Sequence, residues 1–107
     1  MSHSDDLFWT LAEVWLERDG VERSTMMRFP CLRYRGAFVA CVDSGDGALL
    51  VKLPRHEVLT LIEHGAGQSF SPAGRVFREW LSVPLQQRED WPLRLEQAFA
   101  FANGSSA

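Results

Sequence analysis

Closely spaced turn signals in the middle of the sequence constrain its fold more than any other feature. Pro30, the pair Arg35-Gly36 and the Gly-rich run 43–47 separate short segments rich in apolar residues. The turns between these segments are too short to hold the crossover connection of about a dozen residues that parallel strands require. Consecutive strands joined by such tight turns run antiparallel, so this region predicts an antiparallel sheet.

Two kinds of periodicity divide the whole chain into helices and strands. Apolar residues at helical spacing predict a first helix over 5–18, a second from Pro54 to Gly65, and a third that begins at Asp90. The stripe that the third helix turns towards the core is formed by Trp91, Leu95, Ala98, Phe99 and Ala102. Extended segments predict strands at 22–29, 31–35, 37–42, 48–53, 68–71 and 76–83.

The length and composition predict a single domain. The chain has 107 residues, of which 46% are hydrophobic, enough for one core without support from a metal or a disulfide. We therefore predict one domain over 1–107, with an ordered core at about 5–102. Its fold class is α+β, with a single antiparallel sheet packed against helices. We write the element order as α-β(3)-α-β(2)-α. This order has three strands before the second helix, whereas four extended segments lie there.

Charge is distributed unevenly along a chain whose formal net charge is −3. Residues 1–22 hold six acids and one Arg, whereas residues 23–78 hold eight bases and four acids. Domains that bind nucleic acid on their own generally carry net positive charge, because their affinity comes from neutralising phosphates. The composition therefore disfavours nucleic acid as the main partner, although the middle of the chain can present a local positive patch.

The two cysteines are predicted to be separate residues that are buried or lie at an edge of the sheet. A hairpin that turns through Arg35-Gly36 places Cys31 opposite Ala40, and side chains alternate between the faces of a strand. Cys31 and Cys41 then point to opposite faces, so we expect neither a disulfide nor a shared thiol site. The sequence shows no signal-peptide pattern and no apolar run of membrane-spanning length. We therefore expect a cytoplasmic chain with reduced thiols and without membrane association.

No motif in the sequence has the spacing of a catalytic, metal-binding or cofactor-binding site. His56 and His64 lie on the second helix without further ligands at zinc spacing. The glycines in 65–67 follow a helix, whereas a phosphate-binding loop precedes one. Asp43 and Asp46 lack the closing Glu of a calcium loop. We therefore predict no enzyme activity, no catalytic residues, no metal site and no cofactor.

The strongest candidate for a binding surface is a group of arginines around one tryptophan. It consists of Arg33, Arg35, Arg75 and Arg78, with Trp80 nearby. Arginine and tryptophan are both enriched at the energetic centres of protein interfaces. We therefore expect a module that binds an unidentified protein, or a second copy of itself, through this surface. The alternative is that the same arginines bind a nucleic acid or a small ligand.

Three stretches of sequence form a recognisable series of strand features. They are residues 25–38 (TMMRFPCLRYRGAF), 50–54 (LVKLP) and 71–84 (SPAGRVFREWLSVP). In this order they resemble the N-terminal domain of the TfoX/Sxy family, over about residues 7–102. The likeness rests on the order of the segments, since none of them is a catalytic motif. The YjbR/MmcQ-like proteins are the nearest rival assignment.

The resemblance implies an α-β(3)-α-β(2)-α domain with a regulatory or protein-interaction role. Members of the family include regulators of bacterial competence and stand-alone domains of unknown role, and no catalytic residues are established for the family pattern. This sequence has Met27-Arg28-Phe29-Pro30 where the family commonly has Met-Phe-Gly-Gly, so the loop flexibility that glycines supply is not expected. The full-length regulators also carry a C-terminal helical domain, so we transfer no competence or transcription role.

Overall fold

The computed structural model describes residues 3–26 and 28–104, in which three α-helices pack on one six-stranded antiparallel sheet. This architecture confirms the predicted α+β class with a single antiparallel sheet. The helices are α1 (His3–Leu16), α2 (Arg55–Glu63) and α3 (Trp91–Ala102). The strands are β1 (Val21–Met26), β2 (Phe29–Tyr34), β3 (Ala37–Val42), β4 (Leu49–Lys52), β5 (Gln68–Phe70) and β6 (Phe77–Val83). Met27, part of the predicted strand 22–29, lies outside the described residues.

Four strands precede α2, one more than the predicted order α-β(3)-α-β(2)-α contains. The chain reverses direction between Met26 and Phe29, where Arg28 adopts a left-handed φ of 69°. Pro30 was predicted to close the first strand. It lies instead within β2, opposite Thr25. The turn therefore falls earlier than the proline signal indicated, and β1 and β2 form a hairpin of their own.

The strands lie in the order β1-β2-β3-β4-β6-β5, and every neighbouring pair is antiparallel. The first four strands follow the chain, as their short connections require. Helix α2 then carries the chain to β5 at the far edge, and β6 returns between β5 and β4. This return places β6 beside the end of β4, where Lys52 pairs with Trp80.

The hairpin between β2 and β3 turns where the sequence predicts. Arg35 and Gly36 have φ values of 51° and 87°. Positive φ at both central residues is the type I′ geometry, whose twist matches that of the two strands it joins. The turn pairs Tyr34 with Ala37, as predicted.

The helices span 14, 9 and 12 residues, close to their predicted positions. Helix α1 begins at His3 and ends at Leu16, slightly earlier than predicted, while α2 follows Pro54 and α3 follows Asp90 as predicted. Gly65 has a left-handed φ of 72° just after α2, which is the usual way for a helix to end. No helix in the described part of the chain is long and apolar enough to cross a lipid bilayer.

All three helices cover the same face of the sheet. The main core cluster joins side chains of α1, α2 and α3 to residues of β2, β3, β4 and β6. The predicted stripe of α3 lies in this core, with Trp91, Leu95 and Ala98 at most 1% exposed, Phe99 buried and Ala102 at the margin. Full burial of a large apolar side chain contributes about 1.5–3 kcal/mol, so α3 is a main source of stability.

The opposite face of the sheet, which we call the open face, is covered by strand side chains. Its buried cluster consists of Cys31, Cys41, Leu50, Phe70 and Trp80. The half-buried side chains packed around this cluster also lie on strands: Met26, Phe29, Phe38 and Phe77. One face of the sheet is therefore protected by helices, and the other by a single layer of aromatic and sulfur-containing side chains.

Leu95→Ala should lower the free energy of unfolding by about 2–5 kcal/mol, because it leaves a cavity between α3 and the sheet. Leu93→Ala on the same helix is the matched control. Leu93 is 49% exposed, so its loss should change the free energy of unfolding by no more than about 0.5 kcal/mol. Denaturant titration measures both values, and equal effects at the two positions would show that α3 buries a different side.

Candidate functional site

An open groove lies where the end of β4, the start of α2 and the first half of β6 meet. Its volume of about 410 Å³ falls within the range of ligand-binding clefts. We call it the basic groove, and its lining residues are Lys52, Arg55, Arg75, Val76, Phe77, Arg78, Glu79 and Trp80. Four of these side chains are cations and one is a carboxylate. The groove therefore has a net charge of +3 in a chain whose formal net charge is −3.

The junction between β4 and α2 positions one rim of the basic groove. Lys52 ends β4, and the backbone N–H of Leu53 donates a hydrogen bond of 3.0 Å to the carbonyl oxygen of Glu79 on β6. Pro54 occupies the N-cap position of α2, and it has no backbone N–H with which to continue the strand pairing. Arg55 is the first helical residue, so the change from strand to helix places two cations on the same rim.

A tight turn before β6 supplies a third cation. Ala73 and Gly74 adopt left-handed φ values of 54° and 80°, which reverse the chain. The guanidinium carbon of Arg75 then lies 5.2 Å from the centre of the Phe77 ring. A cation at this distance is attracted to the face of an aromatic ring, so the contact holds Arg75 over the start of β6.

An irregularity in the pairing of β5 with β6 shapes the groove wall. Phe70 pairs with Phe77, and the preceding residue Ser69 pairs with Leu81. Residues 78–80 of β6 consequently have no partner in β5. Irregular pairing of this kind redirects side chains at the edge of a sheet. Arg78 and Trp80 are two positions apart on this segment, so they share a side of the strand, and both line the groove.

A smaller apolar notch adjoins the basic groove along α2. It has a volume of about 130 Å³ and includes the α2 side chains Val58, Leu59 and Ile62. Residues that line both the notch and the groove are Arg55, Val76, Phe77, Arg78 and Trp80. Leu59 is 58% exposed and Val76 is 49% exposed, so aliphatic surface borders the cations.

Three of the five predicted site residues lie together. Arg75, Arg78 and Trp80 all line the basic groove. Trp80 is 8% exposed, so it supports the groove wall and presents little ring surface. Lys52 and Arg55 complete the set of cations, and neither was among the site residues predicted from the sequence. The signal that could have identified them is their position on either side of the predicted junction between the strand 48–53 and the second helix.

The other two predicted residues, Arg33 and Arg35, do not line the basic groove. Arg33 lies on β2, two strands from β4, a distance of about 10 Å across a sheet. Its guanidinium carbon lies 4.2 Å from the centre of the Phe38 ring. Arg35 lies in the turn between β2 and β3, with its guanidinium carbon 5.1 Å from the Tyr34 ring. The predicted arginine group is therefore divided between the groove and the β2–β3 hairpin.

The two cysteines face each other across β2 and β3, so the predicted arrangement of the thiols is wrong. Cys31 pairs with Cys41, and it is Leu32 that pairs with Ala40. The register shifts because Val39 is an extra residue in β3, a bulge that the sequence pattern did not reveal. A shift of one residue moves a side chain to the other face of a strand. Both cysteines consequently lie on the open face, fully buried and not joined by a disulfide bond.

The paired thiols differ in their tendency to ionise. A hydrogen bond from Cys41 lowers the pKa of Cys31, helped by a backbone hydrogen bond from Met26 and the charge of Arg33, while burial opposes the change. The same thiol–thiol hydrogen bond, together with burial, raises the pKa of Cys41. In its protonated form Cys31 donates a hydrogen bond of 3.3 Å to the carbonyl oxygen of Phe29. Cys31 is therefore the thiol of the pair that ionises first.

Other residues considered in the sequence make local contacts. Asp43 and Asp46 accept hydrogen bonds of 2.8 and 3.0 Å from backbone N–H groups of the β3–β4 connection. The Nδ1 atom of His64 lies 2.7 Å from the carbonyl oxygen of Thr60 on α2. Within residues 3–26 and 28–104, no group of three His, Cys, Asp or Glu side chains could hold a metal ion.

Comparisons with protein-family models, with curated proteins and with solved structures find no match to this chain. The likeness to the TfoX/Sxy N-terminal domain therefore stays a prediction from the sequence. The basic groove and the thiol pair are the features from which function has to be argued.

Arg75→Ala and Arg78→Ala should each change the free energy of unfolding by no more than about 0.5 kcal/mol, because both side chains are exposed. Trp80→Ala should lower it by about 3–5 kcal/mol, because a buried ring is lost. Thermal and denaturant unfolding of the three variants provides the comparison. If either arginine variant lost as much stability as Trp80→Ala, the cations would serve the fold rather than a ligand.

Proposed function

We propose that this chain is a non-enzymatic binding module that takes an acidic segment of a partner protein at the basic groove. The observation that carries the proposal is the meeting of four cations with the apolar notch in one continuous surface. Such a surface suits a peptide in which acidic residues flank an apolar side chain.

The charge of the basic groove favours an acidic partner and guides its approach. Its net charge of +3 contrasts with the net charge of −5 in residues 1–22. Complementary charge raises the association rate and disfavours partners of the wrong sign. Exposed ion pairs add little affinity individually, typically about 0–1 kcal/mol, so the cations act mainly on selection and orientation.

The apolar notch supplies affinity that exposed charges do not. Its volume of about 130 Å³ is on the scale of one large apolar side chain. Burial of such a side chain contributes about 1.5–3 kcal/mol before the costs of association. Docking would also remove the exposed surface of Leu59 and Val76 from water.

A nucleic acid is the alternative occupant, since the same cations would neutralise phosphates. Proteins that bind single strands combine such cations with aromatic rings on which bases stack. Trp80 presents little ring surface, and the exposed apolar residues of the notch, Leu59 and Val76, are aliphatic. Aliphatic surface suits a peptide side chain better than a base, which favours the protein partner.

We place this activity in the bacterial cytoplasm as a regulatory one. The resemblance to the TfoX/Sxy N-terminal domain supports a regulatory module, and a chain with only two cysteines has no disulfide framework of the kind typical of secreted domains. A module of this kind acts by occupying a segment of its partner and requires no chemical step.

Fluorescence anisotropy with a labelled synthetic peptide of Glu and Leu residues tests the proposal. The double charge reversal Arg75→Glu/Arg78→Glu should weaken binding by about tenfold or more, because repulsion replaces attraction at two points of the groove. Arg18→Glu/Arg23→Glu is the matched control. It makes the same change in net charge outside the groove and should leave the affinity within about twofold.

Competition distinguishes the two classes of partner. A single-stranded oligonucleotide of the same net charge should displace the peptide less well than unlabelled peptide does. Leu59→Ala should weaken peptide binding, because it removes part of the notch. Equal loss of affinity in the groove variant and the control variant, or stronger binding of the oligonucleotide, would contradict the proposed function.

A further inference from the structure

The thiol pair on the open face has the arrangement of two cysteines that can be joined. Cys31 and Cys41 are direct partners in the antiparallel pair of β2 and β3, and their thiols are close enough to shift each other's pKa. Directly opposite residues in antiparallel strands have Cα atoms about 4.5–5.5 Å apart. Disulfides form across Cα separations of about 4.4–6.8 Å. The backbone therefore need not move far for the two sulfur atoms to bond.

The cover over the thiols is thin. Both cysteines are fully buried, yet every side chain in their cluster belongs to a strand. Met26, Phe29 and Phe38, which pack against the cluster, are only half-buried. A small molecule can reach the sulfur atoms when these side chains change rotamer, without the departure of a helix. The main core on the other face has no such access, because α1, α2 and α3 lie over it.

The two thiols are suited to different steps of an oxidation. The Cys41 hydrogen bond and the charge of Arg33 lower the pKa of Cys31 against the opposing effect of burial, which favours its thiolate, the nucleophilic form. Cys41 keeps its proton while Cys31 is anionic, because that anion raises the pKa of Cys41. Once the Cys31 sulfur has reacted and lost its charge, its contribution to the raised pKa of Cys41 disappears, and Cys41 can act as the resolving thiol.

We infer that Cys31 and Cys41 form a reversible oxidation site whose substrate is a small hydroperoxide. The Cys31 thiolate attacks one peroxide oxygen, the O–O bond breaks, and Cys31 becomes a sulfenic acid while the leaving oxygen takes up a proton as water or alcohol. The Cys41 sulfur then attacks the Cys31 sulfur, forms the S–S bond and releases water. The peroxide is reduced by two electrons and the dithiol is oxidised by two, and an external dithiol restores both cysteines by exchange.

Mass spectrometry of the intact folded chain after treatment with hydrogen peroxide tests the inference. The wild-type protein should lose the mass of two hydrogen atoms as a monomer, resist alkylation at both cysteines, and recover both thiols with dithiothreitol. The Cys41→Ser variant should stop at the sulfenic acid, which dimedone traps at Cys31. The Cys31→Ser variant should react at about one tenth of the wild-type rate or below, since burial and the charge of Asp43 still raise the pKa of the Cys41 thiol that is left.

Circular dichroism shows whether each serine variant folds, and the corresponding alanine variants replace any that does not. A dithiol that survives peroxide in the folded protein and reacts only in denaturant would overturn the inference. Disulfides formed solely between molecules would overturn it as well, and so would equal trapping of the two single cysteines by dimedone.

Discussion

One-sided burial of the sheet is the constraint on which the rest of the structure depends. Three helices place their apolar stripes on one face, where Trp91 and Leu95 are fully buried. A chain of 107 residues has no further α-helix among its described elements to cover the second face. That face is therefore covered by its own strand side chains, whose rings and sulfur atoms form a layer one residue thick.

Both candidate sites arise from this asymmetry. The thiol pair lies under the thin layer, and the basic groove lies at the end of the same face, where Phe77 and Trp80 belong to both the layer and the groove wall. Irregular strand pairing completes each site: the bulge at Val39 aligns the thiols, and residues 78–80, which have no partner in β5, line the groove. The regular parts of the sheet thus supply stability, and its irregular parts supply the chemistry.

The sequence predicts what local forces decide. The turn at Arg35-Gly36 and the stripe of α3 follow from residue types within a few positions, and the structure confirms both. The bulge at Val39 leaves no mark in the hydrophobic pattern, so the predicted partner of Cys31 was wrong. The pairing of β4 with β6 joins segments far apart in the chain, so Lys52 could not be assigned to the groove beforehand.

Solution NMR can establish the register of the open face, since cross-strand nuclear Overhauser effects report which backbone protons lie opposite each other. We expect contacts between the backbone protons of Cys31 and Cys41, and between those of Lys52 and Trp80. Contacts from Cys31 to Ala40 instead would place the thiols on opposite faces. Missing contacts between Lys52 and Trp80 would separate the two sides of the basic groove, and either result would contradict the account.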